Sequence, residues 1–348
     1  MKGNQEFFRG CLLGGAIGDA LGWPVEFLKL HEIVKRYGPE GIQELKRTSS
    51  GKAEITDDTQ MTLFTAEGIL RADTRGNVKG ICHPPSVVFF AYQRWMLTQG
   101  YSRVKEYERL YNGWILGLPE LHARRAPGNT CLSALESREQ GSMTEPMNTS
   151  KGCGGVMRVA PAGLFYNKEQ AFTMGAEFAA LTHGHPSGYL PAGALSYLIA
   201  SIIEGQDIKK AVKETLKELE DYENHEECTL AILKALELSE SDIADGGAIG
   251  LLGEGWVGEE ALAISIYCSL KYQADFTKAI TTAVNHGGDS DSTGAITGNI
   301  LGSYLGINCI PSDWVEHVEL SESILQISDD LLKGYQDTEE WWNRYPGY

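Results

Sequence analysis

In this chain glycine falls inside the helical patterns rather than between them. Gly14-Gly15-Ala16-Ile17-Gly18 sits in one such stretch, and Gly294-Ala295-Ile296-Thr297-Gly298 runs on to Gly302 and Gly306 in another. A glycine in a helix interior costs up to about 1 kcal/mol relative to alanine. A sequence that accepts this cost repeatedly is expected to pack helices backbone to backbone at the centre of a bundle. Membrane bundles use small residues in the same way, but polar interruptions here rule out a span. The segment Gly14–Ala20 faintly echoes Gly287-Gly288-Asp289 and Gly294-Ala295-Ile296. No repeat of fixed period stands out, and the echo reads as chance.

The remaining segments also carry helical period. Phe7, Leu12, Leu13, Ile17 and Leu21 recur at spacings near three to five, and Leu63 through Leu70, Val87 through Met96, Phe172 through Leu181 and Pro191 through Ile203 behave alike. Strand-length alternation is scarce. The expected fold is all-α. A length of 348 residues admits one large or two medium domains. The polar loops at 46–53 and 141–151 abut motif residues, as active-site loops do, and no linker is evident. One domain over residues 1–348 is expected.

Net charge is −17, which argues against a nucleic-acid-backbone partner, since that surface wants a basic face. Seven scattered cysteines read as reduced thiols. Met1 to Glu6 lead straight into the amphipathic pattern, without a signal-peptide core. A cytoplasmic protein with no membrane partner is expected.

Two acidic clusters carry the chemistry. Thr56-Asp57-Asp58-Thr59 and Asp289-Ser290-Asp291-Ser292-Thr293 each precede a helical stretch rich in small residues. Their oxygen donors suit Mg²⁺, Ca²⁺ or Mn²⁺ rather than Zn²⁺ or Cu. The second cluster opens like an EF-hand loop, but Ile300 stands where that loop needs a bidentate Glu. Each cluster alone is also what an ordinary helix N-cap looks like. Adjacent like charges are unfavourable unless a cation or helix terminus offsets them, and two such clusters in one chain favour a shared metal site.

Asn148 to Arg158 contains Ser150-Lys151-Gly152-Cys153-Gly154-Gly155, a Gly-rich loop whose amides suit a phosphate, with Lys151 near for charge. It is not a Walker A loop; a close-packed turn is the plain alternative. Gly253-Glu254-Gly255-Trp256-Val257-Gly258 has the letters of a dinucleotide fingerprint but no βαβ context, so that reading is rejected. Trp256 is either a pocket wall or a core residue. His183-Gly184-His185-Pro186 lacks further ligands at zinc spacing, leaving His183 as a pocket residue. Glu26 follows the break of the first helix at Pro24.

Taken in order, Gly14 to Gly22, Thr56-Asp57-Asp58-Thr59, Gly152 to Arg158, Thr182 to Pro186 and Gly288 to Gly294 resemble the ADP-ribosylglycohydrolase family. That family includes the dinitrogenase-reductase-activating glycohydrolase and the ADP-ribosylarginine hydrolases. The resemblance spans residues 7 to 310. It implies a single all-α orthogonal helical-bundle domain with two Mg²⁺ ions, Mn²⁺ substituting in some members. Thr56, Asp57, Asp58, Asp289, Asp291 and Ser292 would be the ligands, with Asp57, Asp289 and Glu26 catalytic. The Gly152–Gly155 loop would hold the diphosphate of ADP-ribose, with Ser150 and Lys151 beside it as substrate-binding residues, His183 would touch the ligand, and Glu26 would gate or assist the site. Cys153 departs from the Asn of many relatives. The implied reaction hydrolyses the bond between ADP-ribose and a modified protein side chain, arginine first. Such bonds break through an oxocarbenium-like state that metals and carboxylates serve. An alternative makes the chain an immunity or regulatory partner that blocks an ADP-ribosyltransferase by contact.

Overall fold

The computed structural model describes residues 3–347. Its helices run, in order, α1 Gln5–Gly22, α2 Leu30–Tyr37, α3 Asp57–Lys79, α4 Pro84–Thr98, α5 Asn129–Ser137, α6 Ala160–Phe165, α7 Lys168–Ala180, α8 Pro186–Ile203 and α9 Ile208–Leu219. They continue with α10 Glu226–Ser239, α11 Asp245–Leu252, α12 Gly258–Lys271, α13 Phe276–Val284, α14 Ser290–Leu305, α15 Ser312–His317, α16 Ser321–Lys333 and α17 Glu339–Arg344. No strand occurs among the described residues; the few extended pairs are isolated bridges at Arg47 with Ala53, Ala53 with Val318, and Gly152 with Val257. The all-α expectation therefore holds.

The glycine-bearing helices α1 and α14 are each other's main partner, running antiparallel. Gly10, Gly14 and Gly18 face Gly302, Gly298 and Gly294, and Gly22 faces Ser290. A methyl group added at Gly18 would stand 2.0 Å from the Gly294 carbonyl oxygen, and one at Gly298 would stand 2.0 Å from that of Gly14. No other residue type fits this seam. Asn299 closes it with a hydrogen bond from Nδ2 to the Cys11 carbonyl at 2.9 Å. The echo between the two segments, read in the sequence as chance, thus marks two helices that meet.

Around the seam lie α16, α13 and α12, while α3 pairs with α4, α7 with α8 and α10 with α12. Most of α8 and α12 is buried, which is why their polar faces are so thin. No single helix among the described residues is long and apolar enough to cross a membrane.

Candidate metal centre and substrate cavity

The seam fixes where the acidic groups meet. Because Gly22 lies against the backbone of Ser290, the end of α1 touches the start of α14. The chain leaves α1 through a short 3-10 turn at Trp23–Val25, and Glu26 follows directly. Glu26, Asp289 and Asp291 each present a carboxylate oxygen, all within 4.8 Å of one another. Asp57 and Asp58 arrive from the first turn of α3. All five side chains are buried.

One residue brings α3 to this place. Asp19, on α1, accepts from the Thr56 amide at 3.0 Å, the Thr56 hydroxyl at 2.8 Å, the Thr59 amide at 3.1 Å and the Thr59 hydroxyl at 2.5 Å. It caps α3 from another helix, in the position where a carboxylate is stabilised by free amides. Burial pushes its carboxyl up to about 6 despite these bonds. Sequence reasoning quoted Asp19 in a motif but gave it no role. The signal was a lone acid in the run Gly10–Gly22, which is otherwise made of small and apolar residues.

The electrostatics are those of uncompensated negative charge. Burial, then the charges of Asp289 and Asp57, push Glu26 up to about 9. Burial likewise holds Asp57, Asp58 and Asp291 well above the carboxylate range, and raises Asp289. Among the described residues no Lys, Arg or His pairs with any of the five. Glu26 Oε2 and Asp58 Oδ2 are buried without a hydrogen-bond partner. Clustered carboxylates with unused oxygens fit a hard divalent cation, which would reverse the local field.

The cluster forms one wall of a cavity of about 510 Å³, a size suited to a small-molecule ligand. Of the expected residues, Glu26, Asp57, Asp58, Gly152, Cys153, Gly154, His183, Trp256, Asp289, Asp291 and Ser292 line it. Four do not. The Thr56 hydroxyl is engaged with Asp19 and the Asp58 amide. Ser150 bonds Thr130 and the Gly152 amide. The Lys151 ammonium sits 2.6 Å from Glu227, an acidic neighbour that the sequence placed in an unrelated segment. Gly155 packs against the Gly188 carbonyl, where a methyl group would stand 2.7 Å away.

His183 lies beneath the Gly-rich loop, its Nδ1 2.8 Å from the Thr182 hydroxyl. Burial, then the charge of Arg158, lowers it to about 3, so it is neutral at ordinary pH. Trp256 stacks on Phe27 at the mouth, with ring centroids 6.0 Å apart. Beside that stack, Lys29 meets Glu254 at 3.2 Å.

A wall that sequence reasoning missed comes from residues 124–131. Arg125 bonds the Ile55 carbonyl at 2.7 Å, and the Gly128 amide donates to Asp57 Oδ2 at 3.2 Å. Between them Ala126 is held at φ 47°, a left-handed conformation that costs alanine on the order of 1 kcal/mol. The turn-forming run Ala126-Pro127-Gly128-Asn129 was the available signal.

The ADP-ribosylglycohydrolase family profile matches residues 2–340. The chain belongs to the ADP-ribosylglycohydrolase family. Among the proteins it resembles is an uncharacterized protein of Archaeoglobus fulgidus, 30% identical over 94% of this chain and 97% of its own. The ADP-ribosyl-[dinitrogen reductase] glycohydrolase of Rhodospirillum rubrum is 25% identical, covering 89% and 90%. The ADP-ribosylarginine hydrolase Tri1 of Serratia proteamaculans is 26% identical, covering 93% and 78%. A solved ADP-ribosylglycohydrolase-related protein complex shares the fold, with a TM-score of 0.67 at 24% identity over 97% of this chain and 100% of that one.

Proposed function

We propose that this glycohydrolase removes ADP-ribose from modified protein side chains by a metal-dependent hydrolysis, with arginine as the linked residue. The observation that carries this reading is the buried carboxylate cluster, with unpartnered oxygens on Glu26 and Asp58, in the wall of a ligand-sized cavity. The arginine choice draws on the relative named ADP-ribosylarginine hydrolase. The names of the relatives are those of hydrolases, which does not favour a protein that acts only by blocking an ADP-ribosyltransferase.

Asp57, Asp58, Asp289 and Asp291, with Thr56 and Ser292, would hold two divalent ions, Mg²⁺ or Mn²⁺. When bound, such ions supply a Lewis acid for the ribose hydroxyls and for an attacking water. The carboxylates stabilise positive charge developing on the ribose ring. Glu26, ionised once the cluster's negative charge is balanced by cations, would take the proton released by water. The Gly152–Gly155 loop receives the diphosphate, and neutral His183 offers the ligand a hydrogen bond without charge. Ser150 and Lys151 shape that loop through Thr130 and Glu227. Trp256 and Phe27 shield the site from water. We take residues 1–348 as one domain, supported by the packing of α1 on both α14 and α16. A cytoplasmic location accords with seven free thiols.

The test is release of ADP-ribose from protein substrates ADP-ribosylated on arginine and, separately, on serine. Release from the arginine substrate with Mg²⁺ and its loss with EDTA are expected. No release from any substrate overturns the hydrolase reading; release from serine alone overturns only the choice of arginine.

A further inference from the structure

Sulfur faces the carboxylates across the cavity. Cys131, Cys153 and Met157 line the same space as Glu26, Asp58, Asp289 and Asp291. Cys153 lies closest, its thiol donating to Asp289 Oδ2 at 2.6 Å. The Ser292 hydroxyl is 3.7 Å from that sulfur and 3.8 Å from the sulfur of Met157. Cys131 is drawn away, since Arg158 Nη1 approaches its sulfur at 3.4 Å. The two buried, unpartnered oxygens, Glu26 Oε2 and Asp58 Oδ2, belong to the same walls.

A purely oxygen-donor set selects hard cations, and one thiolate among the ligands moves the preference toward softer ones. Zinc in particular accepts thiolate and carboxylate together. We propose that this centre has a second, thiophilic binding mode. In it, Cys153 and Asp289 hold a soft divalent cation such as Cd²⁺ or Zn²⁺. Asp291 and Glu26, whose carboxylate oxygens lie within 4.8 Å of that of Asp289, complete the shell. This rests on the reading of the cluster as a cation site. The step balances without an oxidant. The S–H bond of Cys153 breaks, a sulfur–metal bond forms, and the proton passes to solvent by way of Asp289. A soft cation held in this way competes with the hard cation that the hydrolysis needs, so a single sulfur atom sets the metal selectivity of the enzyme.

The experiment titrates chelator-treated full-length protein with Cd²⁺ and, separately, with Mn²⁺. It follows the ultraviolet thiolate-to-cadmium absorption and the heat of binding, in wild type and in Cys153→Ser. Wild type is expected to develop the absorption band, and Cys153→Ser to lack it. The variant should lose at least about tenfold in Cd²⁺ affinity while its Mn²⁺ affinity stays within about threefold. A band that survives in the variant, arising from Cys82 or Cys309, or an unchanged Cd²⁺ affinity overturns the proposal. If Mn²⁺ still binds in that case, the hard-metal reading stands. If neither cation binds either protein, both readings fall together. Should Cys153→Ser not fold, the wild type decides alone: Cd²⁺ but not Mn²⁺ should slow alkylation of Cys153, read by peptide mass. Equal rates with and without Cd²⁺ overturn the idea.

Discussion

Two clusters of charge are buried in this molecule, and they are completed differently. In the first, Glu67 lies between Arg71 at 3.0 Å and Arg94 at 2.7 Å, and all three side chains are fully buried. In the second, Glu26, Asp57, Asp58, Asp289 and Asp291 are buried to nearly the same degree, with no basic partner among the described residues. Burying a charge is costly unless a counter-charge accompanies it. The first cluster carries its cations in its own sequence. The second has no such cation among the described residues, and the fold holds its carboxylates together through the glycine seam and the Asp19 cap. Buried charge therefore marks function here only where the chain leaves the pairing incomplete.

Substitution can break this contrast from either side. The largest effect is expected from Asp289→Ala, which should lower turnover by about 10³–10⁴-fold. It should leave the metal-free fold as stable as before or more so, because one uncompensated charge is gone; turnover and thermal melting in EDTA check both. Glu67→Ala should do the reverse. Two buried guanidinium groups lose their carboxylate counter-charge, at a cost of about 3–5 kcal/mol in urea unfolding, while Mn²⁺ affinity measured by calorimetry stays near wild type. Equal destabilisation by both substitutions would erase the distinction between the clusters.

Glu26→Gln sharpens the comparison within the acidic cluster. Affinity for ADP-ribose should stay within about tenfold, while kcat falls by about 10². Weak binding with normal turnover would make Glu26 a binding residue instead. The smallest effect is on pH dependence. In the folded, metal-free protein Glu26 keeps its proton up to about 9, against an ordinary value of 4.5. Between those limits the folded state binds more protons than the unfolded state, so stability falls as pH rises. Melting temperature in EDTA should decline across that window, and added Mg²⁺ should flatten the slope.

Much of this was legible from residue types. The helices followed from apolar spacing, and the two acidic clusters from carboxylates that no ordinary cap requires. Pairings that depend on distant segments were not legible. Lys151 looked like a phosphate ligand because its partner Glu227 belongs to α10, far along the chain. Asp19 looked like one more polar residue in α1, because its four donors come from Thr56 and Thr59. The 124–131 wall was missed because its role depends on amide direction, as in the Gly128 bond to Asp57. Even the glycines told only half their meaning: α1 and α14 each announced close packing, but neither named the other.

The seam also has a consequence for synthesis. Helix α1 leaves the ribosome well before its main partner α14, Ser290–Leu305. At an ordinary elongation rate, α1 waits roughly 15–60 s for that partner to be made. Through that interval its Gly10, Gly14 and Gly18 face has nothing to close against. Neither the cap that Asp19 gives α3 nor the approach of Glu26 to Asp291 can be locked by the seam. The carboxylate cluster is therefore among the last parts of the molecule to form, completed only when α1 and α14 meet.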